Sequence, residues 1–257
     1  MCLILVVWRT HPRFPCIIAA NRDEFHERAS APARWWTDKP QILGGRDLAA
    51  GGTWLGLTRA GSFAALTNFR DPQARRTDAP SRGMLVTELL ESNAPIEARL
   101  AELERIGSRY NPFNVLFSDG ERLGVYESTR AAGRELEPGI YGLSNHLLDT
   151  PWPKVQRAKS RLATAIESLT DDAAPILELL RDDRPAPDEE LPRTGVNLEW
   201  ERMLSSAFIR SADYGTRCST VVRIDRNGDA QFDEWTWDPA GGESGRTSLR
   251  FRVGASG

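Results

Sequence analysis

The chain opens MCLILVVWRTHPRFPCIIAANRDE, residues 1–24. A cysteine follows the initiator methionine directly. The apolar run Leu3–Trp8 comes next, then a turn region at Thr10, His11 and Pro12, then a second run, Cys16–Ala20. Two short runs rich in β-branched residues across a Pro-containing turn predict a hairpin of buried strands. Antiparallel pairing would set the start of the first run beside the polar end of the second, so Cys2 is expected next to Asn21-Arg22-Asp23-Glu24. Cys is small enough for methionine aminopeptidase to remove Met1. Cys2 would then carry a thiol, with a reference pKa of about 8.5, beside an α-amine of about 8, so proton exchange between them is nearly isoenergetic. Such an amine can act as the base for its own side chain. Cys2 could equally open a strand as a small apolar residue.

Composition narrows the class. Hydrophobic residues make up 40% and charged residues 27%, with a net charge of −3. That balance suits a globular protein and offers no broad basic surface for nucleic acid. No apolar run approaches the ~20 residues of a membrane-spanning helix. The opening run lacks the basic flank and cleavage site of a secretory signal. Three cysteines without a CxxC pair and three scattered histidines do not suggest a disulfide framework or a metal site. The expectation is a cytoplasmic protein of bacterial type with no cofactor.

Further along, residues 25–40 read as a polar loop carrying Trp35-Trp36, which serves either as a binding lip or, more in keeping with a long loop, as an anchor onto the core. Residues 44–47 read as a turn, residues 50–58 as a Gly-punctuated strand and residues 62–68 as the next strand. Glycines inside a strand indicate close approach by a ligand or another chain segment. Ser81 is a candidate cap for a helix bearing Leu85, Val86, Leu89 and Leu90, and Pro95 opens a second helix. Four short strands from Phe113 to Leu143 predict a meander. A helix follows Pro151, with Trp152, Val155, Ala158, Leu162 and Ile166 on its apolar side and Lys154, Arg157, Lys159 and Arg161 on its solvated side. Shorter helices are expected at 173–180 and 200–205. Asn227-Gly228 marks a hairpin between residues 218–225 and 230–237, and 249–253 is a candidate edge strand. Strands come in hairpins and do not alternate with helices, which predicts an α+β protein with antiparallel sheets and helices outside. No internal repeat or long linker divides residues 1–257.

Cys2, the tetrad Asn21–Glu24 and Gly52-Thr53-Trp54-Leu55-Gly56, with Asn68, Gly142–Asn145 and Tyr214–Arg217, resemble the NRDE or transport-and-Golgi-organisation family across essentially the whole chain. That family resembles the N-terminal-nucleophile (Ntn) hydrolases of the bile-salt hydrolase and penicillin V acylase branch. The resemblance implies a single four-layer αββα domain and a cysteine nucleophile acting on a non-peptide amide. It implies catalytic roles for Cys2, Asp23, Asn68, Asn145 and Arg217. Asn21, Arg22, Glu24, Trp54 and Arg70 are the expected substrate contacts. The acylases place arginine just before the Asn-x-Asp, where this chain has Ala20; Arg22 is a candidate substitute, expected on the opposite side of the strand. The other reading is a non-catalytic carrier in secretory, haem or lipid homeostasis. It would hold a haem-like or acyl-CoA-like ligand with Trp35, Trp36, Trp54, Arg22, Arg34 and Arg46, and with His26 or His146 as haem ligands. Oligomeric state is open.

Overall fold

In the computed structural model, which describes residues 2–254, the opening runs form a hairpin of β1 (Cys2–Trp8) and β2 (Cys16–Phe25). Four strands follow: β3 (Ser30–Trp35), β4 (Ile42–Asp47), β5 (Leu55–Thr58) and β6 (Phe63–Asn68). Helices α1 (Gly83–Glu91) and α2 (Ile96–Ile106) come next, then β7 (Phe113–Ser118), β8 (Leu123–Glu127), β9 (Ala132–Leu136) and β10 (Gly139–Leu143). The chain continues with α3 (Pro153–Glu167), α4 (Ala174–Leu180) and α5 (Leu198–Leu204), and closes with β11 (Tyr214–Ile224), β12 (Asp229–Trp237) and β13 (Glu243–Arg252).

The strands form two antiparallel sheets. One runs β10-β1-β2-β11-β12-β13 and the other β3-β4-β5-β6-β7-β8-β9. Strand alternation divides β1 and β2 cleanly. Ile4, Val6, Ile18 and Ala20 meet Leu55, Leu57, Phe63 and Leu116 between the sheets. Leu3, Leu5, Val7, Ile17 and Ala19 pack outward on Val155, Leu162, Ile176 and Leu179 of α3 and α4. Leu85, Leu90, Ile96 and Leu103 of α1 and α2 cover Ile42, Ala64 and Phe117 on the second sheet. Helix, sheet, sheet and helix make the expected αββα sandwich. No helix among the described residues is long and apolar enough to cross a membrane.

Several elements depart from the sequence reading. Residues 30–35 are an edge strand, β3, within the expected loop. Pro32 is tolerated because it lies where the register shifts, at an edge that needs no donor. The expected turn at 44–47 belongs to β4, while β5 covers only the end of the expected strand. The β4 glycines make room for protein: a Cβ on Gly44 would lie 2.6 Å from the Leu55 carbonyl oxygen, and one on Gly45 2.3 Å from the Trp54 ring. The meander has three strands, because β10 leaves the second sheet to pair with β1. Ser81 caps nothing; Arg82 holds the N-cap position of α1 without a side-chain bond. Helix α3 starts at Pro153, and β13 extends well before Leu249. Trp36 is buried and donates to the Gly44 carbonyl, while Trp35 meets Phe251 edge-on, so both are anchors.

Candidate active site

The register of the opening hairpin assembles the site. Cys2 pairs with Arg22 on β2, and Arg22 in turn pairs with Cys218 on β11. Cross-strand partners leave the same face, so Cys2, Arg22 and Cys218 form one row on the inter-sheet side. A β-bulge at Arg217 then resets the register, and Thr216 pairs with Asp23.

Period-two alternation splits the tetrad. Asn21 and Asp23 face the helical layer; Arg22 and Glu24 face the other way. Asn21 is 0% exposed. Its Nδ2 donates to the carbonyls of Leu180 and Ala207, each at 2.7 Å, and its Oδ1 accepts from the Ser219 hydroxyl at 2.6 Å. The expected substrate contact is instead a clamp between the first sheet and the helices. The Asp23 carboxylate accepts from the Thr216 hydroxyl at 2.7 Å, and the Tyr214 hydroxyl donates to its backbone carbonyl. Burial pushes the Asp23 carboxyl above its ordinary range, opposed by Lys154, Thr216 and Arg22.

Arg22 leaves β2 on the same side as Ala20, since the two are two residues apart; the expectation of opposite sides is corrected. Its guanidinium lies 4.3 Å from the Trp54 ring centroid, 3.4 Å from Ser30 Oγ and 3.8 Å from Asp47. Arg28 joins this network, 2.7 Å from Asp47 and 3.9 Å from Glu24. Burial pushes the Cys2 thiol up and the charge of Asp23 adds to it, while the Asp23 N–H, which donates to the sulfur, and the Arg22 guanidinium pull it down.

Loops at the same sheet ends close the cluster. Ser144 Oγ donates to the Cys2 carbonyl at 3.0 Å. The neighbouring Asn145 is fully buried, and its Nδ2 donates to the Asn68 carbonyl at 2.9 Å. The Arg70 N–H returns a bond to the Asn145 carbonyl at 2.8 Å. These bonds tie β6 of one sheet to the end of β10 in the other. Cys2, Asp23, Asn68 and Asn145, distant in sequence, thus share one end of the sandwich. Two expected residues are turned to other partners. Arg70 is buried in an ion pair with Glu201 at 2.8 Å, over the Trp152 ring. The Arg217 guanidinium donates to the carbonyls of Phe25 and Arg28, pinning that turn.

Three polar groups escaped the sequence reading. Glu234, 2% exposed, accepts from the Ala33 N–H at 2.6 Å and the Thr220 hydroxyl at 3.2 Å, so it joins the two sheets. Burial pushes its carboxyl up, and it lies against the Cys218 thiol, which burial also raises. The signal was a Glu in phase with the inward residues Ala230 and Phe232 of β12. The third is Lys154, expected on a solvated face but only 2% exposed. Positions 154, 158 and 162 are four apart and share a helix face, so Lys154 follows Ala158 and Leu162 inward.

Of the carrier residues, Arg22 and Trp54 stack together, but the set as a whole does not share one pocket. Trp36 and Arg46 stack together on the outer face of the second sheet, while Trp35 and Trp54 belong to the inter-sheet side. His26 Nε2 lies 3.1 Å from the Ser211 carbonyl, and His146 Nδ1 lies 2.8 Å from Thr150 Oγ1. No cluster of three metal-ligating side chains occurs among the described residues. A cavity of about 230 Å³ between α1 and α2 and a groove of about 470 Å³ beside Arg13 and Arg250 both lie away from Cys2.

This layering, with a cysteine strand at its centre, has a counterpart among solved structures. The mutant C2A conjugated bile acid hydrolase from Clostridium perfringens superposes with a TM-score of 0.52 over 97% of this chain and 92% of that one, at 10% identity. The fold is that of the N-terminal-nucleophile hydrolases. Residues 1–239 match the family described as Transport and Golgi organisation 2. The Bos taurus Transport and Golgi organization protein 2 homolog is 36% identical over 279 residues, covering 98% of this chain and 99% of its own. The Homo sapiens homolog is 34% identical over 256 residues, covering 91% and 92%. The chain belongs to the Transport and Golgi organisation 2 family.

Proposed function

We propose that residues 1–257 are one domain with the activity of a cysteine Ntn amidohydrolase, cleaving a non-peptide acyl-amide bond. The observation that carries this reading is the register pairing Cys2 with Arg22, which brings the Cys2 sulfur to the Asp23 N–H at a sheet end that Ser144 and Asn145 also reach.

Removal of Met1 leaves Cys2 with a free α-amine. The amine takes the thiol proton and the sulfur attacks the substrate carbonyl carbon. Asn145 uses one amide hydrogen on Asn68; its second stabilises the tetrahedral oxyanion, a contact worth about 3 kcal/mol. As the C–N bond breaks, the ammonium returns its proton to the leaving amine. Water then hydrolyses the thioester, releasing the acid and restoring the thiol. Asp23 orients the α-amine, Arg22 and Trp54 form one wall for the acyl group, and Glu24 and Arg28 mark the rim.

The test combines intact mass, iodoacetamide labelling and an N-acyl amide panel. Loss of Met1, labelling confined to Cys2 and amine release support the reading. A protein that keeps Met1 and leaves Cys2 unlabelled overturns it.

One observation favours carriage without turnover. Burial raises the Cys2 thiol, while Arg22 and Arg82 are cations within reach of its charge. A half-buried thiol among guanidinium groups suits an anionic acyl or haem-like ligand. Tight quenching of tryptophan fluorescence by such a ligand, with no product from any amide, would select this second reading.

A further inference from the structure

Lys154 is a buried cation without an evident structural task. It stands in the first turn of α3, where the helix dipole opposes positive charge. Its Nζ is sealed from solvent and makes no hydrogen bond among the described residues. A lysine kept only for a structural ion pair would bond its carboxylate directly.

Its surroundings belong to the site. The charges that act on it are those of Asp23 from β2, Arg70 from the segment after β6, and Cys2 from β1. Glu201 of α5 is held by Arg70, and Tyr214 of β11 is held by the Asp23 carbonyl. Among the other described groups packed on α3, Tyr141 of β10 packs against the inter-sheet core, Glu178 of α4 is exposed, and Asp182 after α4 is taken by Arg157 and Arg161 of α3 itself.

We propose, building on the hydrolase reading above, that Lys154 is a positioning residue of the Cys2 site, a buried cation that offsets the charge of Asp23 and so favours loss of a proton from the new terminus. The two charges divide the work. Asp23 orients the terminal ammonium, but its negative charge alone would hold the proton there. Lys154 restores the balance, so that the α-amine is free to accept the thiol proton near neutral pH. Burial pulls Lys154 itself down to about 8, so the compensating charge is present at neutral pH and fades above it.

The test uses full-length protein with Cys2 exposed as the terminus by cleavage of a leader, so that methionine removal plays no part. The rate of iodoacetamide labelling at Cys2 is followed from pH 5 to 10 in wild type, K154M and K154R. The expected result is a K154M midpoint about one unit higher, with labelling about tenfold slower at pH 7, and a K154R profile close to wild type. A folded K154M with an unmoved midpoint overturns the proposal, as does a folded K154R that labels like K154M. K154Q replaces K154M if the latter does not fold. Should neither uncharged variant fold, K154R decides: a wild-type profile supports the proposal and a midpoint raised by a unit overturns it. Turnover of the amide panel by the same preparations separates this from the hydrolase reading. A shifted K154M profile in a protein that cleaves no amide leaves the inference standing and removes the activity; an active wild type with an unmoved K154M profile does the reverse.

Discussion

Replacing Asn21 by alanine tests whether the first residue of the tetrad is part of the frame. Asn21 Nδ2 donates to two carbonyls, Leu180 at the end of α4 and Ala207 in the segment before β11. Carbonyls can only accept, so the amide orientation is fixed from that side. It is fixed from the other side as well. Trp237 Nε1 donates to Ser219 Oγ at 2.9 Å, which leaves the Ser219 hydrogen to reach Asn21 Oδ1. Alanine strips both carbonyls of this donor in a region closed to water. Each buried group left unpaired costs about 1–3 kcal/mol, so the expected loss is about 4 kcal/mol, a large part of the 5–15 kcal/mol typical of a folded domain. Urea denaturation followed by tryptophan fluorescence measures it, because Trp237 belongs to the network. The midpoint should fall with little change in slope. A loss below about 1 kcal/mol would refute the clamp and return Asn21 to the substrate side. Asn21→Asp should be no better than alanine, since it keeps an acceptor and turns a carboxylate toward two carbonyls.

Other outcomes follow from the same structure. Lys154, lowered in the fold from 10.5 to about 8, contributes stability that is complete above 10.5 and lost as pH falls through 8. Wild type should therefore gain up to about 3 kcal/mol relative to Lys154→Met between pH 8 and 10.5; parallel urea midpoints across that window would contradict it. Glu201→Ala leaves Arg70 buried without its carboxylate and should cost about 3–5 kcal/mol, while an Arg70→Met, Glu201→Met double variant should lose much less. Equal losses in a double-mutant comparison by urea denaturation would argue against that ion pair. Cys2→Ala should abolish iodoacetamide labelling at position 2 and any amide turnover, with stability within about 1 kcal/mol of wild type; persistent turnover would move the nucleophile elsewhere.

Local chemistry was legible wherever one strand or helix carried the whole signal. The opening hairpin, the Asn227-Gly228 turn and the apolar stripes of α1 to α3 follow from periods of two and 3.6 that need no distant partner. The reading failed where a distant element set the rule. Gly44 and Gly45 look like a turn until Leu55 and Trp54 come up against them. Strand β3 looks like a loop because an edge strand buries only one side. Strand β10 looks like the end of a meander because its partner, β1, lies more than a hundred residues away. Lys154 looks solvated by residue type, although its four-residue spacing from Ala158 already placed it inward.

The sequence by itself determined the layered class, the family to which the chain belongs, and the adjacency of Cys2 to the tetrad, since pairing register is a property of one short hairpin. Only the tertiary structure decided how the tetrad is divided, with Asn21 and Asp23 toward the helices and Arg22 and Glu24 toward the other sheet. It also decided that Arg70 and Arg217 are turned to protein partners, and that Lys154 and Glu234 are interred beside the cysteines. The reason is physical: the cost of burying a charge depends on which groups surround it, and those groups come together only when two sheets and their helices close around one strand end.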